Sequence, residues 1–347
     1  MAVSRAIIVA AAGLALSGGC GSRTGLLAGS VVEATPDAGT TADGASPCGS
    51  QGQVQLATGQ NGPQALALDD AYVYWTNVGV REPPTGTIMR VPKCGGTPVT
   101  LATGQSPSWS IAVDDTSVYW GVVPAGDIGN GVVVRMPKAG GTIVTLATNV
   151  YDPLYVAVDA TNLYWSSPVA ETISSIPTAG GTVTTLATLQ GNPHEIALND
   201  SSVMWLNVGN DGGPGAVVRM PKAGGTPVTL AVGAFPSGLA LDATDAISSF
   251  EAGGGAQLAR VPLSGGSMIG LASVAVSVSG IATDGVDAYF TDIGNGDQGV
   301  GVLGAVPLQG GAVVTLASGL SGPSGVAVDG SSVYWLDDTG LVMKGPK

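Results

Sequence analysis

The stretch from Ser110 to Thr148, SIAVDDTSVYWGVVPAGDIGNGVVVRMPKAGGTIVTLAT, decides the fold. It contains four short runs rich in Val, Ile, Thr, Tyr and Trp, separated by an Asp-Asp turn, a Gly/Asp/Asn loop and a Lys-Ala-Gly-Gly corner. β-branched and aromatic residues favour strands, whereas Gly, Pro, Asp and Asn favour turns. The stretch therefore predicts four consecutive strands, a unit that could not bury a core alone.

Repetition of this unit provides the neighbouring sheets against which each copy can bury its apolar side chains. The same text returns at a period of about 40–45 residues, which with four strands per unit is typical of a propeller blade. The corner recurs at Gly95-Gly96, Gly140-Gly141, Gly180-Gly181, Gly224-Gly225, Gly265-Gly266 and Gly310-Gly311. The Tyr-Trp position recurs as Tyr74-Trp75, Tyr119-Trp120, Tyr164-Trp165, Met204-Trp205, Ile247-Ser248, Tyr289-Phe290 and Tyr334-Trp335. A solenoid is the alternative, but its repeats are usually shorter and its ends need caps.

The two ends of the repeat array complement each other. The segment Gln53–Thr58 matches an outer strand with no inner strands before it, and the last copy, from Gly325 to Lys347, stops after three strands. Pairing the first strand with the last three would close the ring and protect the sheet edge. The sequence therefore predicts an all-β fold, a seven-bladed β-propeller of four-stranded blades over residues 48–347, in which the N-terminal strand completes the C-terminal blade.

Composition and the N-terminus restrict the environment. A formal charge of −13 argues against nucleic-acid binding, which requires a basic face. Arg5 and the apolar run from Ala6 to Leu16 predict a signal peptide over residues 1–19, and the small residues before Cys20 resemble a bacterial lipobox. Residues 20–47 then form a flexible tether after a lipidated Cys20. We expect a monomer in the bacterial cell envelope that meets the membrane through its lipid anchor only; an ordinary signal peptide cut nearby is the alternative.

The remaining cysteines are Cys48 and Cys94. In an oxidising compartment two such cysteines are expected to form a disulfide. Both lie at outer corners of adjacent blades, which is a long span for this bond, but Cys48 ends the tether and could move toward Cys94.

The repeat text also resembles a known family. Units such as V-Y-W-T-N…G-T-I-M-R-V-P…G-G and A-Y-F-T-D, between Gln53 and Lys347, resemble YWTD (LDL-receptor class B) repeats and the wider TolB-like and NHL-type propellers of six or seven blades. Only Tyr289-Phe290-Thr291-Asp292 approaches the full motif. The resemblance implies the blade fold and leaves the activity open, because propellers include adhesion proteins, scaffolds and enzymes.

Three recurring motifs are interpreted as scaffold. The Asp after each inner strand is expected to hold a tight turn, as Asp side chains do when they bond backbone amides two residues on. The Tyr-Trp pairs are expected to fill the space between blades. The R-x-P-K positions, such as Arg90, Lys93 and Lys138, are interpreted as a solvated edge that protects the sheet.

Residues that vary between repeats are the candidates for function. They lie at the start of the inner strands and in the long loops between second and third strands, which share one face of a propeller. The ligand-binding candidates are Trp109, Tyr155, His194, Glu195, Phe235, Asp127, Asn130, Asp211, Asp292 and Asn295. The side-chain oxygens of the Asp and Asn candidates in these loops could bind Ca²⁺, although none of the loops has EF-hand spacing. The preference of Asp and Asn for turns also explains why these residues occur there.

His194, the one histidine of the chain, excludes any mechanism that needs two. The leading hypothesis is a non-enzymatic, lipid-anchored propeller without a cofactor that binds a protein, peptide or glycan through its channel-face loops. The alternative is an enzyme of the lactonase or lyase type with a channel metal and His194 or Glu195 as the base. A purely structural envelope protein is the third hypothesis.

Overall fold

The computed structural model describes residues 52–80, 82–106, 108–124, 129–210, 213–274, 277–294 and 300–347. The regular secondary structure of these residues consists of 27 β-strands. None of the described segments forms a helix of the length and hydropathy needed to cross a membrane. The all-β prediction is therefore confirmed, and the seven repeats correspond to seven blades.

Every blade contains an inner strand, a second, a third and an outer strand in antiparallel order. The inner strands are β2 (Pro63–Leu68), β6 (Ala112–Val113), β10 (Tyr155–Val158), β14 (Pro193–Leu198), the second part of β17 (Val228–Leu241), β21 (Val278–Thr283) and β25 (Ser324–Val328). The second strands are β3 (Tyr72–Asn77), β7 (Ser117–Val122), β11 (Asn162–Ser167), β15 (Ser202–Asn207), β18 (Asp245–Ala252), β22 (Asp287–Asp292) and β26 (Ser332–Asp337).

The outer half of each blade follows the same order. The third strands are β4 (Gly86–Pro92), β8 (Gly131–Pro137), β12 (Thr172–Pro177), β16 (Gly215–Pro221), β19 (Gly255–Pro262), β23 (Gly301–Pro307) and β27 (Leu341–Pro346). The outer strands are β5 (Val99–Gln105), β9 (Val144–Val150), β13 (Thr184–Ala187), the first part of β17, β20 (Ile269–Val274), β24 (Val314–Leu320) and β1 (Val54–Ala57). Because β17 runs without a break from blade 4 into blade 5, these two blades form one seven-stranded sheet.

The ring closes as predicted. Strand β1 pairs with β27, with Val54 opposite Lys344 and Gln55 opposite Met343, so the N-terminal strand completes blade 7. Beyond the strand, the Gln60 amide donates to the Gly340 carbonyl at 3.0 Å. The edge that a three-stranded last blade would expose is thereby covered.

The core is divided among the spaces between blades. Seven clusters of buried apolar side chains each join two consecutive blades, and the last of them joins blade 7 to blade 1 through Leu336 and Trp75. All five tryptophans of the Tyr-Trp positions are at most 1% exposed, which confirms their scaffold role. Truncating such a ring to alanine typically costs about 3–5 kcal/mol of stability.

The corner after each third strand needs glycine. In blade 2 Gly140 has φ 91° and Gly141 has φ 128°, values that L side chains rarely adopt. The Gly140 amide donates to the Pro137 carbonyl at 2.8 Å and closes the turn. The recurrence of Gly-Gly along the chain therefore reflects a backbone requirement.

Candidate functional site

Strand direction gives the propeller two different ends. One end, here called the entrance face, contains the connections from outer to inner strands and the loops between second and third strands. The opposite end, the turn face, contains the Asp turns and the Gly-Gly corners. The ligand-binding candidates that the structure describes belong to the entrance face by their position in the blade.

The Asp of the turn face holds its hairpin as expected. In blade 1 Asp69 Oδ1 accepts the amides of Ala71 and Tyr72 at 2.8 and 2.7 Å, and Oδ2 accepts the Tyr74 hydroxyl at 2.8 Å. Burial tends to raise the pKa of Asp69, but hydrogen bonds from Lys138, Tyr74 and the backbone outweigh it and lower the pKa. The scaffold interpretation of this motif is confirmed.

The interpretation of the R-x-P-K lysines as a solvated edge is wrong. Their side chains are only 12–18% exposed, and each forms an ion pair of 2.7–2.9 Å with the turn Asp of the preceding blade, as does Lys347 at the same position of the K-G-P-K sequence in blade 7. Burial between blades brings the two charges together, so the lysine links neighbouring blades as well as ending a strand. The pairs are Lys93–Asp329, Lys138–Asp69, Lys222–Asp159 and Lys347–Asp284.

A cavity of about 650 Å³ opens on the turn face among blades 6, 7, 1 and 2. Sequence reasoning missed it because its lining consists of motif residues assigned to the scaffold, including Lys93 and Lys138. Both lysines are already bound to aspartates there. The carboxylates left exposed at its rim are Asp70 and Asp115.

On the entrance face the structure brings three of the predicted residues together. The ring of Tyr155, at the start of β10, lies 5.3 Å from the ring of His194 at an interplanar angle of 30°. Glu195 follows His194 in β14, where the pairing register shifts between Pro193 and Ile196. Tyr155 and Glu195 are 2% and 1% exposed, so both lie between blades beneath the surface.

Burial shifts the titration of all three groups. It lowers the pKa of His194 to about 4, so the imidazole is neutral at pH 7. It raises the pKa of Glu195 to about 7, although the Gly238 amide donates to Glu195 Oε1 at 3.1 Å. Burial and the nearby charges of Glu195 and Asp152 raise the pKa of Tyr155. The second carboxylate oxygen, Glu195 Oε2, has no hydrogen-bond partner.

The other candidates are more dispersed. Trp109 is partly buried before β6, Phe235 is 44% exposed in β17, and Asn130 is exposed in the loop before β8. Asp292 is buried, and its Oδ1 accepts the Gly294 amide at 2.9 Å, which is a turn function. Three candidates lie outside the described residues: Asp127, Asp211 and Asn295.

The described residues contain no group of three or more His, Cys, Asp or Glu that could hold a metal ion. The predicted Ca²⁺ site therefore has no cluster of three carboxylates in this part of the chain. Cys94 is disulfide-bonded, while Cys20 and Cys48 lie outside the described residues. The Cys48–Cys94 pairing and the lipidation of Cys20 remain predictions.

Backbone conformation marks a region that the sequence reasoning missed. Among the described residues, six other than glycine have positive φ, and all lie on the entrance face between the end of blade 2 and the start of blade 5. Such conformations are uncommon for residues with a side chain and tend to occur at functional sites. The six are Asn149, Asp152, Glu171, Leu189, Asn192 and Phe235.

Leu189 is the most unusual of them. It has φ 56° and is 86% exposed, whereas the two L-A-T-G repeats and the L-A-S-G repeat place Gly59, Gly104 and Gly319 at the same position, each with positive φ. Leucine gains no buried contact there and would be expected to destabilise the loop. This departure from the repeat was visible in the sequence and could have identified the region.

Unpaired buried polar atoms occur in the same region. In blades 1, 2 and 4 the Trp Nε1 donates to a Gln side chain at 3.1–3.2 Å. Blade 3 has Val150 at that Gln position, and Trp165 Nε1 has no partner. Ser166 Oγ and Glu195 Oε2 are also unpaired, but blade 1 contains as many unpaired atoms, so these atoms alone do not distinguish the region.

We call this region the blade 3–5 arc. Its rim is formed by the exposed side chains of Tyr151, Leu189 and Phe235, and beneath it lie Tyr155, His194 and Glu195. Strained backbone, exposed apolar side chains and shifted pKa values coincide here. The arc is therefore the best-supported candidate site of the described chain.

Comparison with known proteins places the chain by fold. No model of a protein family matches the sequence, and no curated protein matches it. Virginiamycin B lyase from Staphylococcus aureus is similar in structure, with 16% identity and a TM-score of 0.67 over 84% of this chain and 97% of that chain. Kuenenia stuttgartiensis hydrazine synthase gives 13% identity and a TM-score of 0.65 over the same shares, 84% and 97%. A chain of a nidogen/laminin complex gives 18% identity and a TM-score of 0.52 over 69% of this chain and 89% of that chain. Since these similar structures include enzymes and a binding complex, all at low identity, the likeness shows a β-propeller fold and leaves the activity open.

Proposed function

We propose that this chain is a non-enzymatic binding protein of the bacterial cell envelope, anchored through a lipid on Cys20, whose blade 3–5 arc binds a protein, peptide or glycan. The observation that carries the proposal is Leu189, an 86% exposed leucine held at φ 56° where other blades have glycine. A left-handed backbone costs a residue with a side chain about 1–2 kcal/mol. The free protein shows no packing that would offset this cost, whereas a bound ligand covering Leu189 would.

Two further features support the arc as a binding surface. Phe235, on the other side of blade 4, also has positive φ at a position where other blades have glycine. It is 44% exposed at φ 40°, and blades 1 and 7 place Gly62 and Gly322 at the corresponding position. Tyr151, 54% exposed, adds a third large side chain on the same face. Aromatic and large apolar side chains displayed on loops of a rigid scaffold are typical of ligand-binding surfaces.

The test uses variants that restore the glycine of the other repeats. A phage-displayed peptide library and a glycan array are screened against the full chain and against Leu189→Gly combined with Phe235→Gly. The double variant should fold at least as stably as the parent and should lose the selected ligands by tenfold or more. Val314→Thr, a change at an outer-strand side chain 56% exposed, is the matched control and should keep them. Ligands that bind parent and double variant equally would refute the arc as the site.

One observation favours an enzyme of the lactonase or lyase type as a second candidate. Burial raises the pKa of Glu195 to about 7, a value suited to a general base at neutral pH, and Glu195 Oε2 has no partner. The described residues lack a donor cluster for the channel metal that this reading included. Turnover of a lactone or lyase substrate by the parent chain, and its loss in Glu195→Gln, would support this candidate. Unchanged turnover in Glu195→Gln would remove it.

A further inference from the structure

The charged residues of the propeller are separated between its two faces. All nine lysines and arginines of the described chain lie in the third strands or directly after them, toward the turn face. They are Arg90, Lys93, Arg135, Lys138, Arg219, Lys222, Arg260, Lys344 and Lys347. Five of them form ion pairs with aspartates of that face, so the positive charge is largely neutralised where it lies.

The entrance face carries acidic groups, and none of the Lys and Arg residues that the structure describes lies on it. Glu82, Glu171 and Glu251 lie in or next to its surface loops, where Glu82 and Glu251 are exposed and Glu171 is partly buried. The nine described Lys and Arg residues all lie toward the turn face, whereas Arg81, which the sequence places beside Glu82 between β3 and β4, lies outside the described residues. The chain as a whole has a formal charge of −13, so the field over this face is negative and attracts cations.

The turn that holds one of these glutamates, Glu171, is hydrogen-bonded to the residue that follows the strained leucine. The Gln190 amide donates to the Glu171 carbonyl at 3.0 Å, so the turn that holds Glu171 contacts the loop that holds Leu189. Asn210 Nδ2 donates to Glu171 Oε1 at 2.6 Å and fixes the carboxylate from blade 4. Glu171 itself has φ 53°. An oriented acid and an exposed apolar side chain thus occupy adjacent positions in the arc.

We propose that the ligand of the blade 3–5 arc is a cationic polypeptide segment with apolar side chains, in which Lys or Arg meets Glu171 and an apolar residue covers Leu189. This inference rests on the proposed binding function and specifies its ligand. Complementary charge steers association and selects partners, while the apolar contact supplies affinity. Acidic peptides and nucleic acids would be repelled by the same face.

The test measures fluorescence anisotropy of the full chain with three labelled peptides of equal length. The first alternates Lys with Leu, the second alternates Glu with Leu, and the third alternates Lys with Ser. The Lys/Leu peptide should bind at least tenfold more tightly than either of the others, and its affinity should fall as salt is raised from low to high concentration. Equal binding of the Glu/Leu peptide would overturn the charge requirement. Equal binding of the Lys/Ser peptide would overturn the apolar one.

Variants then locate the binding. Glu171→Gln and Leu189→Gly should each weaken the Lys/Leu peptide by roughly fivefold, as expected for loss of one contact worth about 1 kcal/mol. Glu82→Gln, the same charge change on the same face in blade 1, should alter binding by less than twofold. Equal losses in Glu171→Gln and Glu82→Gln would show non-specific attraction to an acidic face and overturn the proposal. If the library screen yields ligands that need the arc but lack positive charge, this inference fails while the proposed function stands. If no ligand depends on the arc, both fail.

Discussion

Replacing Glu195 with glutamine should stabilise the protein above pH 7 and remove a defined part of its pH dependence. The carboxyl lies between blades 4 and 5, 1% exposed, with Gly238 N as the donor to one oxygen and nothing bonded to the other. Its neighbours that titrate are Tyr155, whose pKa is raised, and His194, whose pKa is lowered to about 4. At pH 7 to 9 neither neighbour supplies a positive charge to Glu195.

The magnitude follows from the shift in pKa. Burial raises the pKa of Glu195 from 4.5 to about 7, and each pH unit of difference between folded and unfolded states corresponds to about 1.4 kcal/mol. Glu195 thus contributes a favourable term of the order of 3 kcal/mol that is fully present below pH 4.5, where both states are protonated. The term is lost as the pH rises to about 7, because the unfolded state releases its proton first. Glutamine cannot ionise and avoids this loss.

The assay is urea denaturation of the parent and Glu195→Gln at several pH values between 4.5 and 8.5. The difference in unfolding free energy should grow in favour of the variant from pH 4.5 to about 7 and then stay constant. Glu251→Gln, an exposed glutamate of the same face, is the control and should show no such trend. A Glu195→Gln difference that does not change with pH would refute the assignment of Glu195 as a buried, proton-binding group.

Three further outcomes follow from contacts in the blades. Leu189→Gly should leave the unfolding free energy unchanged or raise it by up to about 1 kcal/mol, because relief of backbone strain offsets the greater conformational entropy that glycine loses on folding. A clearly lower melting temperature of the variant would contradict this. Val150→Gln should raise stability by about 1 kcal/mol, because the new amide can accept from Trp165 Nε1 as in three other blades, and no change in melting temperature would contradict it. A double-mutant cycle on Asp69→Asn and Lys138→Met should give a coupling of about 1 kcal/mol, whereas additive effects would show that the ion pair between blades is not formed.

The architecture could be predicted because it depends on features that recur at regular spacing in the sequence. The Gly-Gly corners, the Asp turns and the Tyr-Trp pairs each solve a local problem of turn geometry or packing, and their spacing gives the blade. Closure by the N-terminal strand followed from counting strands at the two ends. These features need no knowledge of which residues meet across the fold.

The details of the site depend on contacts that the repeat pattern does not encode. The pairing of Lys138 with Asp69 joins two blades, so a reading of single repeats placed the lysine in solvent. The register shift between Pro193 and Ile196 breaks the alternation of strand side chains, so whether Glu195 would be buried could not be read from its position. Leu189 was accessible to sequence reasoning as a departure from the glycine of other repeats, but its exposure and its contact with the Glu171 turn required the structure.

The most direct test of the account is hydrogen–deuterium exchange of the full chain with and without a saturating Lys/Leu peptide. We expect slower exchange in the arc, at residues 149–155, 168–172, 188–195 and 233–238, with no change at the Asp turns or the Gly-Gly corners. Protection confined to the turn face, around the cavity that contains Asp70 and Asp115, would contradict it.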